Sequence, residues 1–206
     1  MSYIVIEGNI GAGKTTLVNK IAPALNARIV LEEFKENPFL EKFYQNPQRY
    51  AFQLEMAFLA DRYHQLQESL KPDLFHQQIV ADYAPFKNLI FAQVNLSGED
   101  FRLYKRLWDI SFRHFPKPDV LIYIKKDMEV LLHQILQRGR PFEKNIEVSY
   151  LQKLEKAYRQ YLSQRKDIPI YIVDINDFVI MQKTVIQLVK KIKVLKKGNC
   201  GLHFIN

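Results

Sequence analysis

The sequence predicts a doubly wound α/β fold in which helices flank a five-stranded parallel sheet. Five short runs rich in Val and Ile are continuous rather than alternating, which is typical of strands buried on both faces. Amphipathic stretches lie between them, and this alternation implies right-handed crossovers. The predicted strands cover residues 3–7, 28–31, 78–82, 120–125 and 168–174. The predicted helices cover residues 14–25, 48–70, 100–115, 128–138, 148–164 and 181–193.

The length of 206 residues suits one domain, and with 48% hydrophobic residues the chain can bury one sizeable core. No repeat or Gly/Ser-rich linker divides the chain, so residues 1–195 are predicted to form that domain. The tail, residues 196–206, shows no pattern that we can interpret, and disorder is one expectation for it. Its Cys200 is the only cysteine, which excludes an intrachain disulfide.

The expected cellular location follows from two further features of the sequence. The chain begins MSYIVIEG, which enters a strand-like run without the basic segment of a signal peptide. No apolar run approaches the length of a membrane span. A cytoplasmic protein without membrane association is therefore expected.

The formal net charge of +8 is compatible with a nucleic-acid partner, but two simpler explanations compete with that one. Much of the positive excess lies between residues 183 and 197, in the last predicted helix and the tail. An anionic small-molecule substrate would also require Lys and Arg. Because the sequence contains no nucleic-acid-binding motif, we expect no nucleic-acid partner.

A phosphate-binding loop follows the first predicted strand. Residues 8–15 read GNIGAGKT and fit the pattern GxxxxGK[ST] in full, with a strand before them and a helix after them. Glycines let the backbone wrap around a phosphate, whose charge then meets successive N–H groups and the positive helix end. Lys14 can bridge the outer phosphates of ATP, and the Thr15 hydroxyl can bind Mg²⁺. The predicted ATP-binding loop comprises Gly8, Asn9, Ile10, Gly11, Ala12, Gly13, Lys14, Thr15 and Thr16.

This loop makes the predicted fold P-loop NTPase-like and indicates that the ligand is a nucleoside triphosphate. An arginine-rich segment further along the chain indicates the reaction. Residues 137–144 read QRGRPFEK and follow a predicted helix. Arginine forks match phosphoryl oxygens, and Gly139 provides the hinge that a closing lid needs. A solvated helix C-terminus, which also attracts cations, is the alternative explanation. Beside a P-loop, Arg138 and Arg140 favour a kinase lid over the water-positioning device of a GTPase or motor-type ATPase.

Carboxylates end two of the predicted strands, at the sheet edge where doubly wound proteins bind ligands. Glu32 and Glu33 end the second strand, and Asp82 ends the third. Such a group can take the proton of an acceptor hydroxyl or bind Mg²⁺ through water, so Glu32 and Asp82 are both candidate general bases. At least one of the two glutamates is expected to be surface charge. Asp82 is the predicted metal ligand beside Thr15.

With these motifs in place, the chain resembles the deoxynucleoside kinase family, and within it the bacterial deoxyguanosine and deoxyadenosine kinases. The resemblance covers residues 3–192 and is carried by four stretches: GNIGAGKTT, ENPFLEKFYQNPQRYAFQLEMAFLADRY, VADYAPFKNLIFA and QRGRPFEKNIEVSYLQKLE. It implies a five-stranded parallel sheet, a homodimer, and a role in deoxynucleotide salvage with ATP as phosphoryl donor and Mg²⁺ as cofactor. The expected partners are therefore a deoxynucleoside and ATP.

The resemblance also implies roles for individual residues. Glu32 is similar to the carboxylate that binds the substrate 5′-hydroxyl and acts as general base. Tyr44 and Glu143 resemble the pair that holds the 3′-hydroxyl, and Tyr44 would crowd a ribose 2′-hydroxyl. Asp177 and Phe178 resemble the loop that borders the adenine of ATP. Catalysis is thus expected to depend on Glu32, Asp82, Lys14 and Arg138.

Two departures from the family pattern concern positive charge. The acid-Arg-Ser triplet that often follows the third strand is replaced by Asp82-Tyr83-Ala84, so Glu32 lacks its usual arginine partner. A further lid arginine found in many members is replaced by Gln134. Charge screening in the transition state is therefore expected to depend more heavily on Lys14, Arg138 and Arg140.

Base recognition is the least determined property. The family commonly reads the base with a glutamine on the long helix, and the matching position here is Glu55. Gln53 would point to a different helix face, so only one of the two should enter the pocket. An ionised carboxylate only accepts hydrogen bonds, which suits the N1–H and N2–H₂ donors of guanine and favours deoxyguanosine over deoxyadenosine. The pocket is further predicted to include Arg62, Lys87 or Asn88 as donors to the base, Phe52 and Phe86 as walls, and Tyr83.

Two other functions compete with a deoxynucleoside 5′-kinase. A nucleoside monophosphate kinase of the thymidylate type would need cations near the second strand to hold the acceptor phosphate, and the acidic pair Glu32-Glu33 argues against it. A nucleotide-dependent switch or binding module would leave Tyr44 and Glu143 without a purpose.

Overall fold

Six parallel strands form one sheet in the part of the chain that the computed structural model describes, residues 2–33, 37–71, 75–143, 146–176, 180, 182–194 and 200–205. The strands are β1 (Ser2–Gly8), β2 (Arg28–Val30), β3 (Gln78–Ala81), β4 (Val120–Lys125), β5 (Pro169–Asp174) and β6 (Gly201–Ile205). Their order across the sheet is β2-β3-β1-β4-β5-β6, and every neighbouring pair is parallel. The predicted doubly wound α/β fold is confirmed, with one more strand than expected.

Helices cover both faces of the sheet. They are α1 (Lys14–Ile21), α2 (Leu40–Gln45), α3 (Pro47–Ser69), α4 (Phe86–Asn95), α5 (Gly98–Phe112), α6 (Met128–Arg138), α7 (Val148–Ser163) and α8 (Gln182–Val194). Because successive strand residues point to opposite faces, β1 contributes to two cores. Tyr3 and Val5 pack with residues of α3, α4, α5 and α7. Ile4 and Ile6 pack with residues of α1, α6 and α8.

The carboxyl ends of the central strands place the predicted site residues at one edge of the sheet. The phosphate-binding loop follows β1, Glu32 lies two residues after β2, and Asp82 directly follows β3. The main-chain N–H of Asp82 donates to the carbonyl oxygen of Val30 at 3.1 Å, which joins the ends of these two strands.

The tail is where the sequence prediction was wrong. Residues 201–205 are not disordered: they form β6, which pairs in register with residues 169–173 of β5. The main-chain N–H of Gly201 donates to the carbonyl oxygen of Ile168 at 3.0 Å, and the ring of His203 stacks on Tyr171. A domain boundary at residue 195 therefore cuts off a strand of the sheet. The strand reads GLHFI, and its short apolar content is interrupted by Gly201 and His203, so it lacks the continuous Val/Ile-rich pattern of the five predicted strands.

Among the described residues, no helix combines the length and the apolar character that crossing a bilayer requires.

The sheet edge provides a test of this sixth strand. Ile205 is 5% exposed and packs in the core with residues of β5, whereas Phe204 is 71% exposed. An Ile205→Asp variant should lose about 3 kcal/mol of unfolding free energy in urea titrations, because a carboxylate would be buried without a partner. The matched Phe204→Asp variant should stay within about 0.5 kcal/mol of the parent protein. Equal effects of the two substitutions would show that β6 does not pack as described.

Candidate active site

A cavity of about 850 Å³ opens at the carboxyl ends of the central strands. Lys14 and Thr15 of the phosphate-binding loop line one part of it, and Glu55 of α3 and Asn95 of α4 line another. Glu32 lies between these two parts. Its main-chain N–H contacts Asp82, which binds Thr15, and its carboxylate binds Arg62 and Lys87 on the helices that carry Glu55 and Asn95. The cavity therefore joins a phosphate site to a second part lined by Glu55 and Asn95.

The phosphate-binding loop has the backbone that its glycines allow. Gly11 and Gly13 have φ angles of 81° and 87°, in the left-handed region, and a Cβ atom on Gly11 would lie 2.9 Å from the carbonyl oxygen of Leu131. Gly13 is the N-cap of α1 and no side chain caps that helix, so the first-turn N–H groups of α1 have no side-chain cap to compete with an anion. Lys14 Nζ donates to the carbonyl oxygens of Gly8 and Asn9 at 2.9 and 3.0 Å. Burial first, and then the nearby charge of Lys87, lowers the pKa of Lys14 to about 8.

Asn9 connects the loop to a buried polar network that the sequence analysis missed. Its Nδ2 donates to the carbonyl oxygen of Leu151 at 2.9 Å and to Glu155 Oε2 at 3.5 Å. Glu155 Oε2 also accepts from the hydroxyl of Tyr123 at 2.7 Å. The hydrogen bonds hold the loop against α7. The available signal for buried polar groups below the loop was Glu7, a charged residue near the end of a mostly apolar strand.

Glu7 itself is fully buried at the end of β1. It accepts hydrogen bonds from the main-chain N–H of Ala84 at 3.1 Å and from the hydroxyl of Tyr158 at 3.0 Å. Burial raises the pKa of Glu7 above its ordinary value, although Lys87 and Lys14 oppose that effect. Glu7 thereby connects β1, the turn after β3 and α7 directly beneath the site.

Asp82 is bound on both carboxylate oxygens. Oδ2 accepts from the Thr15 hydroxyl at 2.5 Å, and Oδ1 accepts from the main-chain N–H of Glu32 at 2.7 Å. Two hard oxygen groups thus lie side by side next to the phosphate-binding loop, which is the donor set that Mg²⁺ prefers. No group of three His, Cys, Asp or Glu that could hold a metal occurs in the described part of the chain.

Glu32 is held by two cations from different helices. Arg62 Nε of α3 donates to Oε1 at 2.9 Å, and Lys87 Nζ of α4 donates to Oε2 at 2.5 Å. Burial alone would raise the pKa of Glu32, but Lys87 and Arg62 outweigh burial and lower the pKa far below its ordinary value. Glu32 thus has charged partners despite the missing arginine of the triplet. Arg62 also donates to the side-chain oxygen of Asn88. The predicted donation to the base by Arg62 with Lys87 or Asn88 stays a prediction.

Glu55 is 1% exposed and lines the cavity, whereas Gln53 is exposed on the outer face of α3. Asn95 Nδ2 donates to Glu55 Oε1 at 2.7 Å. The other oxygen, Oε2, is buried without a hydrogen-bond partner among the described residues. Burial raises the pKa of Glu55 to about 7, although the Asn95 hydrogen bond and the charge of Arg62 oppose the shift. Of the two residues considered for reading the base, only Glu55 faces the pocket.

The aromatic walls differ from the prediction. Phe52, Tyr83 and Phe86 do not line the cavity. The ring of Phe86 stacks on Tyr161 with centroids 4.7 Å apart, because it lies on a different face of α4 from Lys87. Tyr83 is buried and its hydroxyl donates to the side chain of Gln65. The aromatic residues that do line the cavity are Phe43, Tyr44, Phe58, Phe91, Phe142 and Tyr150.

The arginine segment folds over the cavity. Glu143 is buried, and its carboxylate accepts from Arg138 Nη2 at 2.5 Å and from Arg140 Nη1 at 3.2 Å. The ring of Tyr44 stacks on Phe142 with centroids 6.2 Å apart, and burial followed by the charge of Glu143 raises the pKa of Tyr44. The two predicted lid arginines and the predicted sugar-binding pair therefore converge. The predicted adenine-bordering residues, Asp177 and Phe178, lie outside the described residues.

Comparison with known proteins agrees with this geometry. The deoxynucleoside kinase family profile matches residues 4–196. A deoxyguanosine kinase of Bacillus subtilis (strain 168) is 43% identical over 166 residues, which are 80% of this chain and 80% of that protein. A deoxyadenosine/deoxycytidine kinase of the same organism is 32% identical over 182 residues, 86% of this chain and 84% of its own length.

The fold also resembles that of solved structures. A solved structure of deoxyadenosine kinase from M. mycoides with bound dCTP superimposes with a TM-score of 0.81, covering 94% of this chain and 100% of that chain at 24% identity. At 24% identity, this similarity shows that the two proteins share a fold. Because the family profile spans nearly the whole chain and the Bacillus relative exceeds 40% identity, the chain belongs to the deoxynucleoside kinase family, whose members are phosphotransferases.

Proposed function

We propose that the protein transfers the γ-phosphate of Mg·ATP to the 5′-hydroxyl of a purine deoxynucleoside, with deoxyguanosine preferred over deoxyadenosine. One observation carries the proposal: a single cavity joins the phosphate-binding loop to the pocket of Glu55, and Glu32 lies between them. The names of the Bacillus subtilis relatives, deoxyguanosine kinase and deoxyadenosine/deoxycytidine kinase, support the same substrate class.

The phosphate-binding loop is proposed to hold the donor. The N–H groups at the start of α1 would bind the phosphates, and Lys14 would exchange the carbonyl oxygens of its own loop for phosphate oxygens. The groups that would hold Mg²⁺, directly or through water, are the Thr15 hydroxyl and Asp82, which already contact each other. When bound, Mg²⁺ supplies positive charge that screens the phosphate oxygens.

Glu32 is proposed to position the acceptor. Its lowered pKa keeps it ionised, so its carboxylate can accept a hydrogen bond from the 5′-hydroxyl. The 5′-oxygen then bonds to the γ-phosphorus as the bond to the β–γ bridging oxygen breaks, ADP leaves, and the hydroxyl proton passes to Glu32. In a loose transition state orientation matters more than the strength of the base. Because both oxygens of Asp82 face Thr15 and the main chain of Glu32, Asp82 is assigned to the metal side.

The lid couples the sugar to the phosphates. Glu143 binds Arg138 and Arg140 in the described arrangement, and the family resemblance assigns the same carboxylate to the sugar 3′-hydroxyl. Arginines that leave Glu143 for the phosphates would release it to the sugar, where Tyr44 is its neighbour. Lys87 adds a cation next to Glu32, in place of the triplet arginine that the sequence lacks.

Guanine suits the inner pocket through Glu55. The ionised carboxylate accepts two hydrogen bonds, and guanine offers N1–H and N2–H₂ as adjacent donors. Glu55 Oε2 is buried without a partner among the described residues, so a base that donates to it removes an unfavourable desolvation.

The assembly is proposed to be a cytoplasmic homodimer, as the family resemblance implies. Leu103 and Ile110 lie two helical turns apart on α5 and are 47% and 66% exposed, which gives that helix an apolar outer stripe. Light scattering of the purified protein should give a mass of about twice 24.4 kDa. A mass of one chain at micromolar concentration would contradict the dimer.

Substitution of Glu32 tests the proposed reaction. A Glu32→Gln variant should lose at least about a hundredfold in kcat for dGMP formation from ATP and deoxyguanosine, because the amide cannot take the proton of the 5′-hydroxyl. The matched control is Glu33→Gln, whose side chain is exposed and which should stay near the parental rate. The assay should include deoxynucleoside monophosphates as acceptors. Faster turnover of a monophosphate than of any nucleoside, or an unchanged rate in Glu32→Gln, would refute the proposal.

Substitution of Glu55 tests base recognition. A Glu55→Gln variant should lose roughly ten- to hundredfold in kcat/KM for deoxyguanosine and gain activity on deoxyadenosine or deoxycytidine, since an amide offers one donor and one acceptor. The matched control is Gln53→Glu, two residues away on the exposed face, which should keep the parental profile. A nucleoside profile that Glu55→Gln leaves unaltered would exclude Glu55 as the base-reading residue.

A further inference from the structure

The carboxyl group of Glu55 has two unlike oxygens. Oε1 accepts from Asn95 Nδ2 at 2.7 Å, whereas Oε2 is buried and has no hydrogen-bond partner in the described part of the chain. The donor of Asn95 keeps Oε1 an acceptor in either protonation state. A proton on this group therefore belongs on Oε2, the oxygen that has no partner among the described residues, on a side chain that lines the cavity.

Positive charge surrounds Glu55, but none of the described residues forms an ion pair with it. Arg62 and Lys87 direct their hydrogen bonds to Glu32 and Asn88, so they act on Glu55 only through space. The neighbouring tyrosines are neutral, because burial raises each of their pKa values. The titratable, charged and hydrogen-bonding groups that face Glu55 from the packed helices are Tyr44 of α2, Arg62 of α3, Lys87 and Asn95 of α4, Tyr104 of α5 and Tyr150 of α7.

We propose that the protonation state of Glu55 selects the base, with the ionised carboxylate taking guanine and the protonated acid taking adenine. The inference rests on the proposed function and adds a rule for choosing between its two substrates. The ionised group accepts from guanine N1–H and N2–H. The protonated group donates its Oε2–H to a ring nitrogen of adenine and accepts from the N6 amine. Each base therefore meets two complementary groups in one state and a mismatch in the other.

Both states are accessible near neutral pH. Burial, partly offset by the Asn95 hydrogen bond and by Arg62, raises the pKa of Glu55 to about 7. Guanine binding favours loss of the proton and adenine binding favours its retention. As pH rises through this pKa, the ionised fraction increases, so the preference should move from deoxyadenosine at lower pH to deoxyguanosine at higher pH.

The ratio of kcat/KM for deoxyguanosine to that for deoxyadenosine tests the inference. The ratio should rise about tenfold per pH unit between about pH 6 and pH 8, because it follows the ratio of ionised to protonated Glu55. Titration of Lys14 and other shared groups affects both substrates and cancels. In Glu55→Gln, which has no proton to lose at this position, the ratio should be constant across the same range.

Asn95 provides a second, graded test. An Asn95→Ala variant lacks the hydrogen bond that lowers the pKa of Glu55, so the whole ratio profile should shift to higher pH. At a fixed pH near neutrality the ratio should fall by about three- to tenfold. Gln93→Ala, on the exposed face of the same helix, should leave the profile in place. A purely structural role of Asn95 would lower both activities without moving the profile.

Calorimetry in buffers of different ionisation enthalpy gives a readout that needs no turnover. Binding of deoxyguanosine at about pH 6 should release nearly one proton, and binding of deoxyadenosine at about pH 8 should take up nearly one. Glu55→Gln should show neither exchange.

Thermal stability reports the same titration without substrate. The folded pKa of Glu55 lies above its ordinary value of 4.5, so ionisation of the buried group costs the parent protein stability as pH rises from about 4.5 to about 7. The Tm of Glu55→Gln relative to the parent should therefore increase over that range by roughly 10 °C.

The outcomes separate the two proposals. Phosphorylation of both purine deoxynucleosides with a ratio that stays constant from about pH 6 to about pH 8 would refute the base-selection rule and leave the kinase assignment intact. Absence of activity on either purine deoxynucleoside at every pH would refute both. A pH-dependent ratio that persists in Glu55→Gln would place the titrating group elsewhere and overturn the inference.

Discussion

The ion cluster around Glu32 constrains the rest of the site. An ionised carboxylate removed from water is unfavourable unless partners replace its hydration, and here Arg62 and Lys87 do so from two different helices. The main-chain N–H of Glu32 is fixed in turn by Asp82, which also binds Thr15. A short chain of contacts thus links α3, α4, two strand ends and the phosphate-binding loop. Donor and acceptor sites cannot shift independently, which is what in-line transfer of a phosphoryl group requires.

The same cavity holds a second buried carboxylate, Glu55, whose pKa is shifted in the opposite direction from that of Glu32. Glu32 bonds to both cations and has a strongly lowered pKa, whereas the one hydrogen bond to Glu55 in the described part of the chain comes from a neutral amide, and the pKa of Glu55 is raised. Glu55 and Arg62 are seven residues apart on α3, so two turns of one helix carry both the base-reading group and a partner of Glu32. Two acids whose environments separate their pKa values are suited to two different tasks. In the proposed reaction these tasks are holding the 5′-hydroxyl and reading the base.

Local patterns predicted much of this architecture. The five continuous apolar runs and the GxxxxGKT loop depend on neighbouring residues, and helix periodicity alone required that only one of Gln53 and Glu55 could face inward. Long-range packing decided the rest. Lys87 reaches Glu32 only because α4 turns the face of Lys87, Phe91 and Asn95 to the cavity, and the local sequence pattern does not determine that orientation. Phe86, one residue away, was predicted in the wall and instead packs on Tyr161.

The central claim is that one cavity presents the 5′-hydroxyl to Glu32 while Glu55 holds the base. A crystal structure with deoxyguanosine and a non-hydrolysable ATP analogue tests it most directly. The account predicts the triphosphate on the loop of residues 8–16, the 5′-oxygen within hydrogen-bond distance of Glu32, and guanine N1 and N2 facing the carboxylate of Glu55. A nucleoside whose base contacts neither oxygen of Glu55, or whose 5′-oxygen points away from Glu32, would contradict it.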